Sequence, residues 1–127
     1  LRIKNAFVSA AQRADRIGFD VAELHAAHGY LLHQFLSPLS NLRADEFGGS
    51  LQGRMRFPLA VFEAVREIWP KHKALGVRLS ATDWVARSSW TLAESQIFAG
   101  ELKTRGCDFI DVSSAGNSPE QEIDAGI

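Results

Sequence analysis

Three short apolar stretches constrain this chain more than anything else in it: Phe19-Asp20-Val21-Ala22-Glu23-Leu24-His25, Leu75-Gly76-Val77-Arg78-Leu79-Ser80 and Asp108-Phe109-Ile110-Asp111-Val112-Ser113. Each has the length of a strand, and each follows a span with helical periodicity. Before the first, Phe7, Ala10, Ala11, Ala14 and Ile17 recur at helical spacing between Ile3 and Ile17, and Gly18 stands where a C-cap belongs. Before the second, Ser50 is placed to cap a helix running to about Trp69, with Pro70 as its stop. Pro58 lies inside that helix and predicts a break or kink near Phe57. Before the third, Thr91 opens a helix to Arg105, Glu94 completes a capping box and Gly106 ends it. A shorter helical segment, Tyr30 to Leu36, and a turn-rich loop, Ser37 to Ser50, fill the interval after the first strand.

Strands separated by helices favour parallel pairing through right-handed crossovers, so the fold class is α/β. A doubly wound open sheet and consecutive units of a (β/α)8 barrel both satisfy that order. No glycine-rich phosphate loop follows any of the strands, which disfavours the open sheet. Polar residues instead crowd the C-terminal strand ends: His25 and His28, then Ser80 and Asp83, then Ser113 and Ser114. Barrels place their chemistry at that face. A complete barrel needs roughly 250 residues, and this chain has 127. The expectation is a partial (β/α)8 TIM barrel, with residues 1–127 the central part of a single domain, incomplete at both ends. Met55 is the only methionine and the chain opens at Leu1 in a helical pattern, so a processed chain or a segment of a longer one is expected.

Charge excludes more than it suggests. Fourteen Lys and Arg against fifteen Asp and Glu leave a formal net charge of −1, which gives no reason to expect nucleic acid or an anionic membrane as partner. No apolar run approaches the roughly 18 residues of a membrane span. The single cysteine, Cys107, has no internal disulfide partner, so a reducing, cytoplasmic setting is expected.

Strand alternation puts Val21, Glu23 and His25 on one face of the first strand and Gly76, Arg78 and Ser80 on the equivalent face of the second. A guanidinium between Val77 and Leu79 needs a partner. Glu23 on the neighbouring strand is one candidate, and a bound anion or polarised carbonyl is the other. His25 and His28 lie three apart where a strand passes into a turn, so both imidazoles can converge above the sheet. Two neutral imidazoles there can hold one carbonyl oxygen. Tyr30 brings a phenol to the same rim, able to serve as a proton donor. A Glu-x-His-x-x-His metal site is the competing reading, but the zincin order His-Glu-x-x-His is absent, so no metal is expected.

Taken together, GFDVAELHAAHGYLLHQFLSPLSNLRADEFGGSLQGRMRF, then VRLSATDW and FIDVSS, resemble the old yellow enzyme family in order and spacing. The branch that includes bacterial xenobiotic reductases and NADPH dehydrogenases is the most similar. The resemblance implies about the fourth to sixth strands of the barrel, FMN as cofactor and NADPH as reductant. It further implies an ene-reductase acting on the activated C=C bonds of α,β-unsaturated carbonyl or nitro compounds. His25 and His28 match the pair that binds the substrate oxygen beside the flavin, Tyr30 the substrate-contacting tyrosine and proton donor, and Arg78 the strand arginine that contacts the cofactor. His25 and Arg78 are therefore the cofactor-binding residues expected here. The phosphate-binding loops fall beyond this segment. The partners implied are small activated alkenes, with homo-oligomerisation of the full-length protein left open. Gly53 stands where members usually carry asparagine, which predicts a weakened cap on the long helix. Dienoyl-CoA reductases, which share most of the motif, and a non-catalytic fragment are the alternatives, with a metal-dependent barrel hydrolase more distant.

Overall fold

Two of the three turns from helix into strand fall where glycine permits them. A computed structural model describes residues 2–124. Its elements in chain order are α1 (Arg2–Arg16), β1 (Val21–Ala26), α2 (Leu31–Leu36), α3 (Leu51–Ile68), β2 (Ala74–Ser80), α4 (Leu92–Thr104) and β3 (Phe109–Ser113). Gly18 and Gly106 close α1 and α4 with φ of +93° and +87°. The first strand starts two residues later than the sequence pattern suggests. The reason is that the Phe19 N–H is spent on the Ala14 carbonyl at the end of α1 and cannot join the ladder.

The strands form one parallel sheet in the order β1-β2-β3. The register places Glu23 opposite Gly76, His25 opposite Arg78, Gly76 opposite Phe109, Arg78 opposite Asp111 and Ser80 opposite Ser113. One face carries Leu24, Ala26, Leu75, Val77 and Leu79 into a core with Val61, Phe62 and Val65 of α3 and Phe98 and Leu102 of α4. The other face carries Glu23, His25, Arg78 and Asp111. Gly76 leaves room there for the Phe109 ring, which a Cβ at 76 would strike.

Of the break or kink expected near Phe57, the break does not occur: α3 runs from Leu51 to Ile68 through Pro58 as one element. An interior proline costs about 3 kcal/mol, and burying Met55, Leu59, Val61, Phe62 and Val65 at about 1.5–3 kcal/mol each outweighs it. The cap of α3 forms with glycine at position 53. Ser50 Oγ accepts from the Gly53 N–H at 3.1 Å, and a Cβ at 53 would meet the Gly48 carbonyl. The capping box of α4 forms as expected, with Thr91 and Glu94 satisfying each other's backbone amides.

Candidate active site

The site lies at the C-terminal ends of the strands and begins with a turn that L-residues avoid. His28 adopts φ +57° and Gly29 follows at +75°, so the chain reverses sharply after β1. A left-handed non-glycine residue costs about 1–2 kcal/mol. Hydrogen bonds hold it in place: the His28 N–H donates to Ser80 Oγ at 3.0 Å and the Gly29 N–H to His33 Nδ1 at 3.0 Å. Ser80 Oγ donates in turn to the Ala115 carbonyl at 2.8 Å, which ties the loops after all three strands together.

This turn brings three rings into contact. The His25 and His28 centroids are 5.3 Å apart at 66°, and His25 lies 5.1 Å from Tyr30. Tyr30 is exposed, whereas both histidines are half-buried. His28 Nε2 is 2.5 Å from Ser113 Oγ. Burial, with His28, Arg78 and His33 nearby, pushes the His25 imidazole below its usual value, so it is neutral at pH 7.

Arg78 stands beside His25 in the sheet register. Glu23, one of its two candidate partners, does not pair with it: the ion pair runs to Asp111, with Arg78 Nε 3.4 Å from Asp111 Oδ2. The register explains this, because Arg78 is directly opposite Asp111 while Glu23 faces Gly76. Burial and the Asp111 charge push the Glu23 carboxyl up, against a lowering by Arg78. The pair with Asp111 lacks hydrogen-bond geometry, and Arg78 Nε is buried with no hydrogen-bond partner among the described residues. A donor in that state fits a ligand that accepts a hydrogen bond on the open face of the sheet.

A family profile for NADH:flavin oxidoreductase / NADH oxidase matches residues 2–118. The chain belongs to this family. Within this flavin oxidoreductase family it is 51% identical over 114 residues to an NADPH dehydrogenase of Clostridium acetobutylicum, covering 90% of this chain and 33% of that protein. An NADH:flavin oxidoreductase of Gibberella zeae is 47% identical over 130 residues, 95% of this chain and 32% of that one. Among solved structures, morphinone reductase aligns with a TM-score of 0.74 at 38% identity, covering 85% of this chain and 29% of its own. A 2-naphthoyl-CoA reductase aligns with a TM-score of 0.87 at 27% identity, over 94% of this chain and 18% of its own. The chain spans about a third of the length of the curated relatives it matches. Its parallel sheet is an unclosed part of the TIM barrel of such enzymes. FMN, with a nicotinamide nucleotide as reductant, is the cofactor of this flavin oxidoreductase family.

The structure thus gathers His25, His28, Tyr30 and Arg78, all four residues singled out in the sequence. Two others behave differently. Asp83, grouped with the polar rim by sequence position, turns inward and is fully buried. Asp111, which no sequence motif marks as a partner for Arg78, lies on the same face by alternation from Phe109 and Ser113. Among the described residues, no three His, Cys, Asp or Glu side chains are grouped to hold a metal ion, and no helix is long and apolar enough to cross a membrane.

Proposed function

We propose that the full-length protein is an NADPH-dependent, FMN-containing ene-reductase for activated C=C bonds, with residues 1–127 as the central part of its single barrel domain, about strands four to six. The observation that carries this reading is the contact of His25, His28 and Tyr30 beside the Arg78 Nε, which has no hydrogen-bond partner among the described residues. Bound FMN supplies hydride transfer, the chemistry that no side chain can perform. Arg78 would hold it by donating Nε–H to an acceptor atom of the flavin, where negative charge gathers on reduction.

His25 and His28 donate to the carbonyl or nitro oxygen of the alkene. A neutral imidazole still has one N–H to give, so the lowered pKa of His25 leaves it a donor without placing a fixed cation beside Arg78. Withdrawing charge toward that oxygen makes the β-carbon electrophilic, and such donors act most strongly where water is excluded. The Tyr30 phenol, which lies against the His25 ring, gives a proton to the α-carbon in this reading.

The test is anaerobic, NADPH-dependent reduction of 2-cyclohexenone and of a nitroalkene by the full-length protein. Absence of turnover with both, despite bound FMN that NADPH reduces, would sink the reading. The alignment with a 2-naphthoyl-CoA reductase favours one second reading, reduction of an unsaturated acyl-CoA thioester. Turnover of a 2,4-dienoyl-CoA but not of cyclohexenone would select it.

A further inference from the structure

One buried cluster takes no part in the chemistry described above. His33, Ser37 and Asp83 are all fully buried, directly behind the His28–Gly29 turn. His33 Nε2 lies 2.8 Å from Asp83 Oδ1. Asp83 Oδ2 accepts from Ser37 Oγ at 2.5 Å and from the Trp90 N–H at 2.9 Å. At its other nitrogen, His33 accepts the Gly29 N–H.

That last bond fixes the state of the ring. A nitrogen that accepts an N–H carries no proton of its own, so His33 is the neutral Nε2–H tautomer and donates to Asp83. Burial pushes the Asp83 carboxyl up, but the bonds from His33, Ser37 and Trp90 more than offset it, leaving the group ionised. The carboxylate therefore dictates the tautomer, and the tautomer presents a lone pair to Gly29. Every polar atom in the chain from Trp90 to Gly29 is matched in one sense only.

We propose that His33, backed by Asp83, is the positioning residue of the site: its Nδ1 locks the left-handed His28–Gly29 turn and so fixes where the His28 imidazole and the Tyr30 phenol stand. The inference rests on the reading of His28 and Tyr30 given above. Replacing one member of a buried polar pair destabilises the core whatever its role, so the test must separate placement from stability.

Two amide substitutions split the imidazole's two bonds. In His33→Asn the new Oδ1 overlays the imidazole Nδ1 and keeps an acceptor for Gly29, but strands the Asp83 carboxylate. In His33→Gln the new amide nitrogen overlays the imidazole Nε2 and keeps the donor to Asp83, but offers Gly29 nothing. His33→Asn should therefore melt lower than His33→Gln. For the turn the order reverses: His33→Gln should lose amide protection over residues 26–32 in hydrogen exchange. It should also bind 4-hydroxybenzaldehyde, a phenol whose oxygen the proposed His25 and His28 donors would hold in place of the substrate oxygen, on the order of tenfold more weakly, as loss of one hydrogen bond implies. His33→Asn should stay closer to wild type in both readouts. Val65→Ala, in the core on α3, should lower the melting temperature without changing either. The inference fails if protection and phenol affinity simply follow melting temperature across the three variants, or if His33→Gln matches wild type. If His33→Asn gives no folded flavoprotein, His33→Gln against Val65→Ala decides by the same criterion. Should the wild-type holoenzyme not bind the phenol, the reading of His28 and Tyr30 falls, while hydrogen exchange alone still decides whether His33 locks the turn.

Discussion

Gly116 lies directly against His28. A Cβ at position 116 would stand 2.5 Å from the His28 Cα, and Gly116 has φ +89°. The contact is mutual, because a Cβ on Gly29 would meet the Gly116 carbonyl. The loop after β3 is thus a backing plate for the turn that carries the histidine, and neither loop can thicken.

Gly116→Ala is accordingly expected to cost about 1–3 kcal/mol of stability from conformation and displaced backbone together. It should also weaken phenol binding, because His28 must move. Gly18→Ala provides the contrast. Gly18 shares the positive φ but has open space around it, so it should lose stability with phenol affinity intact. Thermal melts and an absorbance titration on both variants check this, and equal losses of affinity would refute the backing role.

Arg78 and Asp111 should separate in their effects. Arg78→Ala in the full-length protein is expected to release FMN more readily and make it harder to reduce, by the on-the-order-of 1.5–3 kcal/mol of a charged hydrogen bond. Arg78→Lys should not restore it, since an ammonium lacks the planar Nε–H. Asp111→Asn should matter far less, because both partners are about 40% exposed and such pairs contribute roughly 0–1 kcal/mol. Flavin content after dialysis and the reduction potential decide the matter. A larger effect from Asp111 would make the ion pair, not the cofactor contact, the reason for the arginine.

His25→Ala and His28→Ala should each remain yellow, lose phenol affinity and slow alkene reduction, while reduction by NADPH changes less. Loss of one such donor costs roughly 2.7–4 kcal/mol where it has been isolated, and the neighbouring imidazole will recover part of that. Melting temperature and flavin content falling together with turnover would indicate a structural role for the pair.

The element order and the nearness of His25, His28, Tyr30 and Arg78 were legible in the sequence because both rest on local pattern, whereas the choice of a ligand for Arg78 came only from the family resemblance. Strand alternation puts His25 and Arg78 on one face, and Gly18 and Gly106 mark the turns that the structure bears out. The misses concern relationships that depend on register. Arg78 pairs with Asp111 because β3 joins β2 with Arg78 opposite it, and no one-dimensional pattern specifies register between strands separated by a helix. Asp83 looks like a rim residue by spacing, but its burial depends on His33 of α2 and Ser37 at that helix's C-terminus. The uninterrupted helix through Pro58 is a tertiary override, in which packing of the apolar face outweighs a local penalty.

Residues 1–127 expressed alone should self-associate. Ile17, Phe19, Val21 and Val112 are each more than half exposed, and among the described residues β1 and β3 each pair on one side only. Unpaired edges beside apolar surface promote association. Light scattering showing a monodisperse monomer would contradict this.

The pH dependence of stability should carry the signature of His25. Its folded pKa lies below the ordinary 6.5, so below that value the unfolded chain takes a proton that the folded site refuses. Stability must then fall as pH drops from about 6.5 toward the folded value. Glu23 acts in the opposite sense. Its folded pKa is raised above 4.5, so its contribution is complete below 4.5 and is lost as pH rises through the raised value. Between the two ordinary values the groups oppose each other, and their removal should show it. In thermal melts of the full-length flavoprotein across that interval, His25→Gln is expected to flatten the rise of stability with pH, and Glu23→Gln to steepen it. Identical profiles for both variants and wild type would mean that neither group is perturbed by the site. A steeper profile for His25→Gln would reverse the sign of its shift and leave a charged imidazole beside Arg78, which is incompatible with the neutral donor the proposed chemistry requires.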